Sequence, residues 1–168
     1  MWQSAIVVSI LTAALLITNC TTEGLADRSC PVTPKLEVVS AIAPAAGAYP
    51  VWVVDGSFGR WQGPDGVVKT AWILARDHPG DLTVVGRSVD GDGRASFKSL
   101  NDADLSDQLI IENADTQQMM PGGIEPDQLR KYSFRPSGVI YPSAGCWELL
   151  VHYGKSESRI VLELIDQP

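Results

Sequence analysis

The stretch Cys146-Trp147-Glu148-Leu149-Leu150-Val151-His152-Tyr153, then Gly154-Lys155-Ser156-Glu157, then Ser158-Arg159-Ile160-Val161-Leu162-Glu163-Leu164 decides the fold class. Two apolar, β-favouring runs flank a short turn containing glycine, which is the pattern of a β-hairpin. Successive side chains of a strand point to opposite faces. Trp147 and Leu149 therefore share one face, and Cys146 and Glu148 the other. His152 is out of phase with Val151, which puts it at the surface or an edge. The bland role for the aromatic positions is core packing.

Further runs of this kind precede the hairpin, separated by Gly, Pro, Asp and Asn. Strands are expected over 35–40, 50–54, 67–74, 81–89, 109–112, 131–141, 146–153 and 158–165. Strand 81–89 leads into Asp90-Gly91-Asp92-Gly93, a strong turn signal. Residues 41–48 read as a small-residue connection. The pattern weakens between 98 and 128, with a loop around Gln117 to Gly123 and one helical turn expected at 125–130. No segment after residue 20 sustains a helical apolar period over three turns. Seven or eight short strands suit an all-β antiparallel sandwich.

The 168 residues are enough for one domain with a sizeable core. A net charge of −7 argues against nucleic acid, whose binding rests on Lys and Arg neutralising phosphates. It also disfavours adsorption to anionic lipid.

The N-terminus reads as an address. Residues 1–19 carry no charged side chain, and Ala5 to Ile17 is an apolar run of 13. That run is short for a bilayer core of about 30 Å and has the length of a signal-peptide h-region. Ile17-Thr18-Asn19-Cys20 resembles a bacterial lipobox, in which the Cys becomes the lipidated first residue of the mature protein. Asn19 stands where that pattern has a small residue. The resemblance implies a lipoprotein signal peptide over 1–19, a lipid anchor on Cys20 and a tether over 20–29. With Cys20 given to lipid, Cys30 and Cys146 remain. In an oxidising compartment the pair is expected to form a disulfide. It would close a loop of about 115 residues, worth roughly 4–5 kcal/mol on the chain-entropy model.

The segment Gly138-Val139-Ile140-Tyr141-Pro142-Ser143-Ala144-Gly145-Cys146-Trp147-Glu148 is the most distinctive in the chain. It resembles a signature of uncharacterised bacterial secreted or lipid-anchored proteins that end in a Pro-x-x-Gly-Cys-Trp-Glu strand and a final hairpin. Cys30-Pro31-Val32-Thr33 and Leu82-Thr83-Val84-Val85-Gly86-Arg87 fit the same picture. The resemblance implies an immunoglobulin-like sandwich over 30–168 and no known activity. In such folds a tyrosine at the strand corner bonds backbone, a role open to Tyr141.

Candidate chemistry is sparse. His78 and His152 are the two histidines, and neither Gly-x-Ser-x-Gly nor His-Glu-x-x-His occurs. Asp90 and Asp92 have the spacing of a calcium loop's start, but its twelfth position is Asn101, not Glu. A turn is the simpler reading, as a solvated loop is for Asp102, Asp104 and Asp107. No metal or cofactor is implied. Trp52 and Trp72 lie in strands and should pack inside. Trp61, in the turn-rich Gly59-Arg60-Trp61-Gln62-Gly63-Pro64, is the candidate partner contact; its alternative is to cap the sandwich end. The expectation is a non-catalytic module, exported to the bacterial cell envelope and anchored to the bilayer through Cys20. It would contact a protein or glycan there. The alternatives are a small extracytoplasmic hydrolase or metal-dependent enzyme, and a purely structural envelope domain.

Overall fold

The computed structural model describes residues 29–57, 59–99, 104–116 and 122–166. The expected signal peptide, Cys20 and nearly all of the tether lie outside them. The described residues form ten strands in two antiparallel sheets. In chain order the elements are β1 (Lys35–Leu36), β2 (Ala45–Ala48), β3 (Val51–Asp55), β4 (Val67–Ala75), β5 (Leu82–Ser88), β6 (Ser96–Ser99), β7 (Gln108–Ile111), α1 (Pro126–Lys131), β8 (Tyr132–Ile140), β9 (Gly145–Tyr153) and β10 (Ser156–Leu164). One sheet has the order β1-β2-β3-β4-β8-β6, the other β10-β9-β5-β7. Among the described residues no helix is long and apolar enough to cross a membrane.

The hairpin that defines the pattern is β9–β10. Its turn is tighter than the sequence suggests: Ser156 already pairs with Tyr153, leaving Gly154 and Lys155 as the two turn residues. Gly154 has φ +57°, and a Cβ there would lie 2.8 Å from the Pro79 carbonyl. A two-residue hairpin needs this conformation at its first position, which glycine supplies without strain.

Period-two alternation builds the main core between the sheets. Trp147, Leu149, Val151 and Tyr153 of β9 face Val68, Trp72 and Leu74 of β4 and Val139 of β8, with Leu82 and Val84 of β5 beside them. A second, smaller core lies on the outer face of the six-stranded sheet. There Trp52, Ile73 and Phe134 pack under Val39 and Ile42 on one side and Leu129 of α1 on the other. Burial on both faces explains why β4 reads as a continuous apolar run at Trp72, Ile73 and Leu74.

α1 starts with Pro126 at its first turn, has Asp127 near its N-terminus and ends on Arg130 and Lys131. Proline is tolerated there because its missing N–H would be unsatisfied anyway, and the charges complement the helix dipole.

Three expectations change. The strand expected over 35–40 shrinks to Lys35–Leu36, because the chain turns inward to bury Val39 in the outer core. The connection 41–48 contains a strand, β2, whose sequence is AAGA. Small side chains let β2 pass close: a Cβ on Gly47 would lie 2.5 Å from the Val51 carbonyl and 3.3 Å from Ile160 Cδ1. The turn after β5 reverses the chain through Ser88 N–H to the Gly93 carbonyl (2.8 Å). The returning strand makes one bridge, Arg87 to Arg94, then leaves for the other sheet as β6.

Cys30 and Cys146 are joined by a disulfide, with Cα atoms 5.5 Å apart. The segment it holds runs along the outer edge of β10. Thr33 N–H donates to the Val161 carbonyl (2.9 Å), and Val161 N–H donates to Thr33 Oγ1 (2.8 Å). Backbone groups that the strand edge would otherwise present free at Val161 are thereby satisfied.

Candidate binding cleft

Three element ends meet at one end of the six-stranded sheet: the start of β3, the end of β4 and the start of β8. Ala75 N–H donates to the Pro50 carbonyl (2.9 Å) and Arg76 N–H to the Lys131 carbonyl (2.8 Å), which ties the three together. An open cleft of about 680 Å³ lies there, lined by Tyr49, Ala75, Arg76, Asp77, Arg130, Lys131 and Tyr132. Its volume is in the range of small-ligand sites, roughly 300–1,000 Å³.

Tyr49 is the notable side chain. It is 56% exposed, yet it is held from several directions. Its hydroxyl donates to Asp77 Oδ2 (2.9 Å) and lies 3.0 Å from His78 Nδ1. With the Tyr49 proton committed to Asp77, that second contact is made by an Nδ1–H donor. The ring packs edge-to-face with His78 (centroids 5.1 Å) and with Trp52 (6.2 Å). Trp52 in turn packs edge-to-face with Tyr132 (5.8 Å), so an aromatic row runs from the outer core to the surface. The hydrogen bond to Asp77, with lesser help from desolvation, holds the Tyr49 phenol above its ordinary pKa.

Cations surround this row. Arg76 Nη1 donates to the Leu129 carbonyl (3.1 Å), Arg130 pairs with Asp127 one helical turn back, and Lys131 makes no ion pair among the described residues.

The structure brings His78 beside Asp77 (Nδ1 to Oδ1 3.9 Å) and Tyr49, while His152 lies beside Glu157 (3.4 Å) across the β9–β10 turn. Among the described residues no serine hydroxyl hydrogen-bonds to either ring. Among the described residues no group of three or more His, Cys, Asp or Glu is placed to hold a metal ion. Asp104 and Asp107 are exposed; Asp102 lies outside the described residues.

Trp61 is half-buried against the main core. Its indole N–H donates to the Tyr141 carbonyl (2.8 Å), and its backbone N–H to the Ile165 carbonyl (3.0 Å). The loop that delivers it is organised by Asp55, whose carboxylate accepts from Ser57 N–H, Ser57 Oγ–H and Gly59 N–H. Trp61 thus closes the sandwich end at the Tyr141 corner.

The corner hydrogen bond expected of the Tyr141 hydroxyl does not form. The hydroxyl is buried without a partner, and burial pushes its pKa far above the phenol range. The ring instead packs on Trp147, with centroids 5.1 Å apart.

Two buried charges were not legible as sites. Glu148 is 2% exposed and pairs through Oε2 with Arg87 and through Oε1 with Arg159. Arg135 of β8 points between the sheets and donates to the carbonyls of Glu112, Asn113 and Ala114. Burial, the leading cause, draws its pKa below the ordinary guanidinium value. Arg135 therefore fixes the loop after β7, where Asn113 has φ +48°. Both residues are found only once strand register is known.

The chain matches no protein-family model, no curated protein and no solved structure.

Proposed function

We propose that this is a non-catalytic bacterial cell-envelope lipoprotein. In this reading residues 1–19 are a signal peptide, Cys20 carries lipid, 20–29 are a tether, and 30–168 are an immunoglobulin-like module that holds an envelope partner in the Tyr49 cleft. The strand order supports the immunoglobulin-like part. β3-β4-β8-β6 corresponds to the A-B-E-D sheet of such domains, and β10-β9-β5 to G-F-C. The order departs from that pattern in having the D-like strand β6 before the C′-like β7, and in bridging β9 to the N-terminal segment. A disulfide suits an oxidising compartment, which supports export.

The observation that carries the binding role is Tyr49: an exposed aromatic whose rotamer is already held by Asp77, His78 and Trp52. A side chain immobilised before binding loses little entropy on contact, which is what an anchor residue needs. Trp61 has its indole N–H and much of its ring committed to the fold.

The test uses protein extracted from membranes in detergent and sedimented with detergent-washed cell walls. Wild type and Trp61→Phe are expected in the pellet, and Tyr49→Ala at least fivefold depleted from it. The intact mass of the same preparation should show a lipid adduct on Cys20. Equal pelleting of Tyr49→Ala contradicts the cleft, and an unmodified Cys20 contradicts the anchor.

A further inference from the structure

We infer that the ligand of the Tyr49 cleft is a carboxylate-bearing polysaccharide, a polymer of the uronic-acid type. The inference rests on the binding role proposed above and names its chemistry. Two kinds of group converge here. Tyr49 and Tyr132 offer aromatic surface, on which the C–H face of a sugar ring can stack. Arg76, Arg130 and Lys131 offer cationic donors in the same cleft. Of the acidic side chains that face them, Asp77 is committed to the Tyr49 hydroxyl and Asp127 to Arg130. Three cations against two carboxylates leave a local positive excess on a chain whose net charge is −7. Among the described residues Lys131 makes no ion pair and the Arg76 guanidinium bonds only through Nη1 to a carbonyl, so both hold unspent donors for a ligand carboxylate.

The backbone favours a glycan over an acidic peptide. β3 and β4 are paired on both sides at the cleft, and the stretch of β8 that β6 leaves unpaired there, Tyr132–Pro136, carries a proline that cannot donate to a ladder. Such an interrupted edge disfavours an added peptide strand, and recognition falls mainly to side chains.

Isothermal titration of the detergent-solubilised full protein tests this with three probes. They are hexagalacturonate, its fully methyl-esterified counterpart and a hexaglutamate peptide. Hexagalacturonate is expected to bind at least tenfold more tightly than the neutral ester. Lys131→Ala and Tyr49→Ala should each weaken it at least fivefold, with near-ultraviolet circular dichroism reporting an unchanged fold. Arg76→Lys keeps the charge and should lose less than Lys131→Ala. Equal affinity for the ester overturns the acidic class, and preference for hexaglutamate overturns the glycan. Binding to none of the probes by protein that still sediments with cell walls overturns the inference and leaves the binding module standing. Loss of wall binding as well removes both.

Discussion

Glu148 is the residue whose environment most constrains the outer face of the smaller sheet. Its carboxylate is buried, and the guanidiniums on β5 and β10 that neutralise it reach it through Nε while remaining largely solvent-exposed. Stranding a buried carboxylate costs far more than removing the whole ion group, because desolvation is then uncompensated. Arg87→Ala with Arg159→Ala is therefore expected to lower unfolding free energy by about 3 kcal/mol in urea at pH 7, and adding Glu148→Leu should recover most of it. A triple variant no more stable than the double would show that the carboxylate is not the seat of the cost.

At the same scale, Tyr153 is pushed up to about 12, first by burial, and its hydroxyl donates to the Ala75 carbonyl (2.9 Å). Tyr141 is raised in the same direction. The folded state thus holds these protons more tightly than the unfolded chain, whose phenols ionise near about 10. Stability is complete below that pH and falls as pH rises toward 12. Absorbance at 295 nm should show these two tyrosines ionising together with loss of structure. Reversible ionisation of all four tyrosines near pH 10 in a folded chain would contradict their burial.

Elements were legible where side-chain periodicity is strong and illegible where pairing alone makes a strand. The β9–β10 hairpin and β4 announce themselves through Trp, Leu, Ile and Val. β2 is AAGA and has no intrinsic strand preference; it is a strand because β3 and β1 pair with it and because small side chains let β10 approach. β6 is four residues long and follows a turn that looks like an ordinary hairpin but crosses between sheets. The strap over the β10 edge is an element of another kind. It has almost no side-chain signal of its own, only Thr33 and a cysteine. Cys30→Ser with Cys146→Ser is expected to cost about 2–5 kcal/mol, since the bridge closes a long loop. It should also speed amide exchange at Val161, whose N–H bonds Thr33. Unchanged protection there would mean that the strap holds without the bridge.

At the scale of the whole molecule, two sheets and a covered edge make a stable frame with one end open to solvent. The sequence pointed to Trp61 as the exposed aromatic because it lies among glycines and a proline. Long-range contacts to Tyr141 and Ile165 leave it half-buried, and those cannot be read from local composition. Tyr49 carried no such flag, since its partners Asp77 and His78 come from another strand's end. In the proposed reading, export and anchoring belong to residues 1–29 and the contact surface to the frame itself.

The most direct test of that surface is amide chemical-shift mapping of the ¹⁵N-labelled protein titrated with soluble cell-wall fragments. Perturbations are expected to cluster at Tyr49, Arg76–His78 and Leu129–Tyr132. Perturbations confined to Gly59–Trp61 and Tyr141, with the Tyr49 cleft silent, would contradict the account.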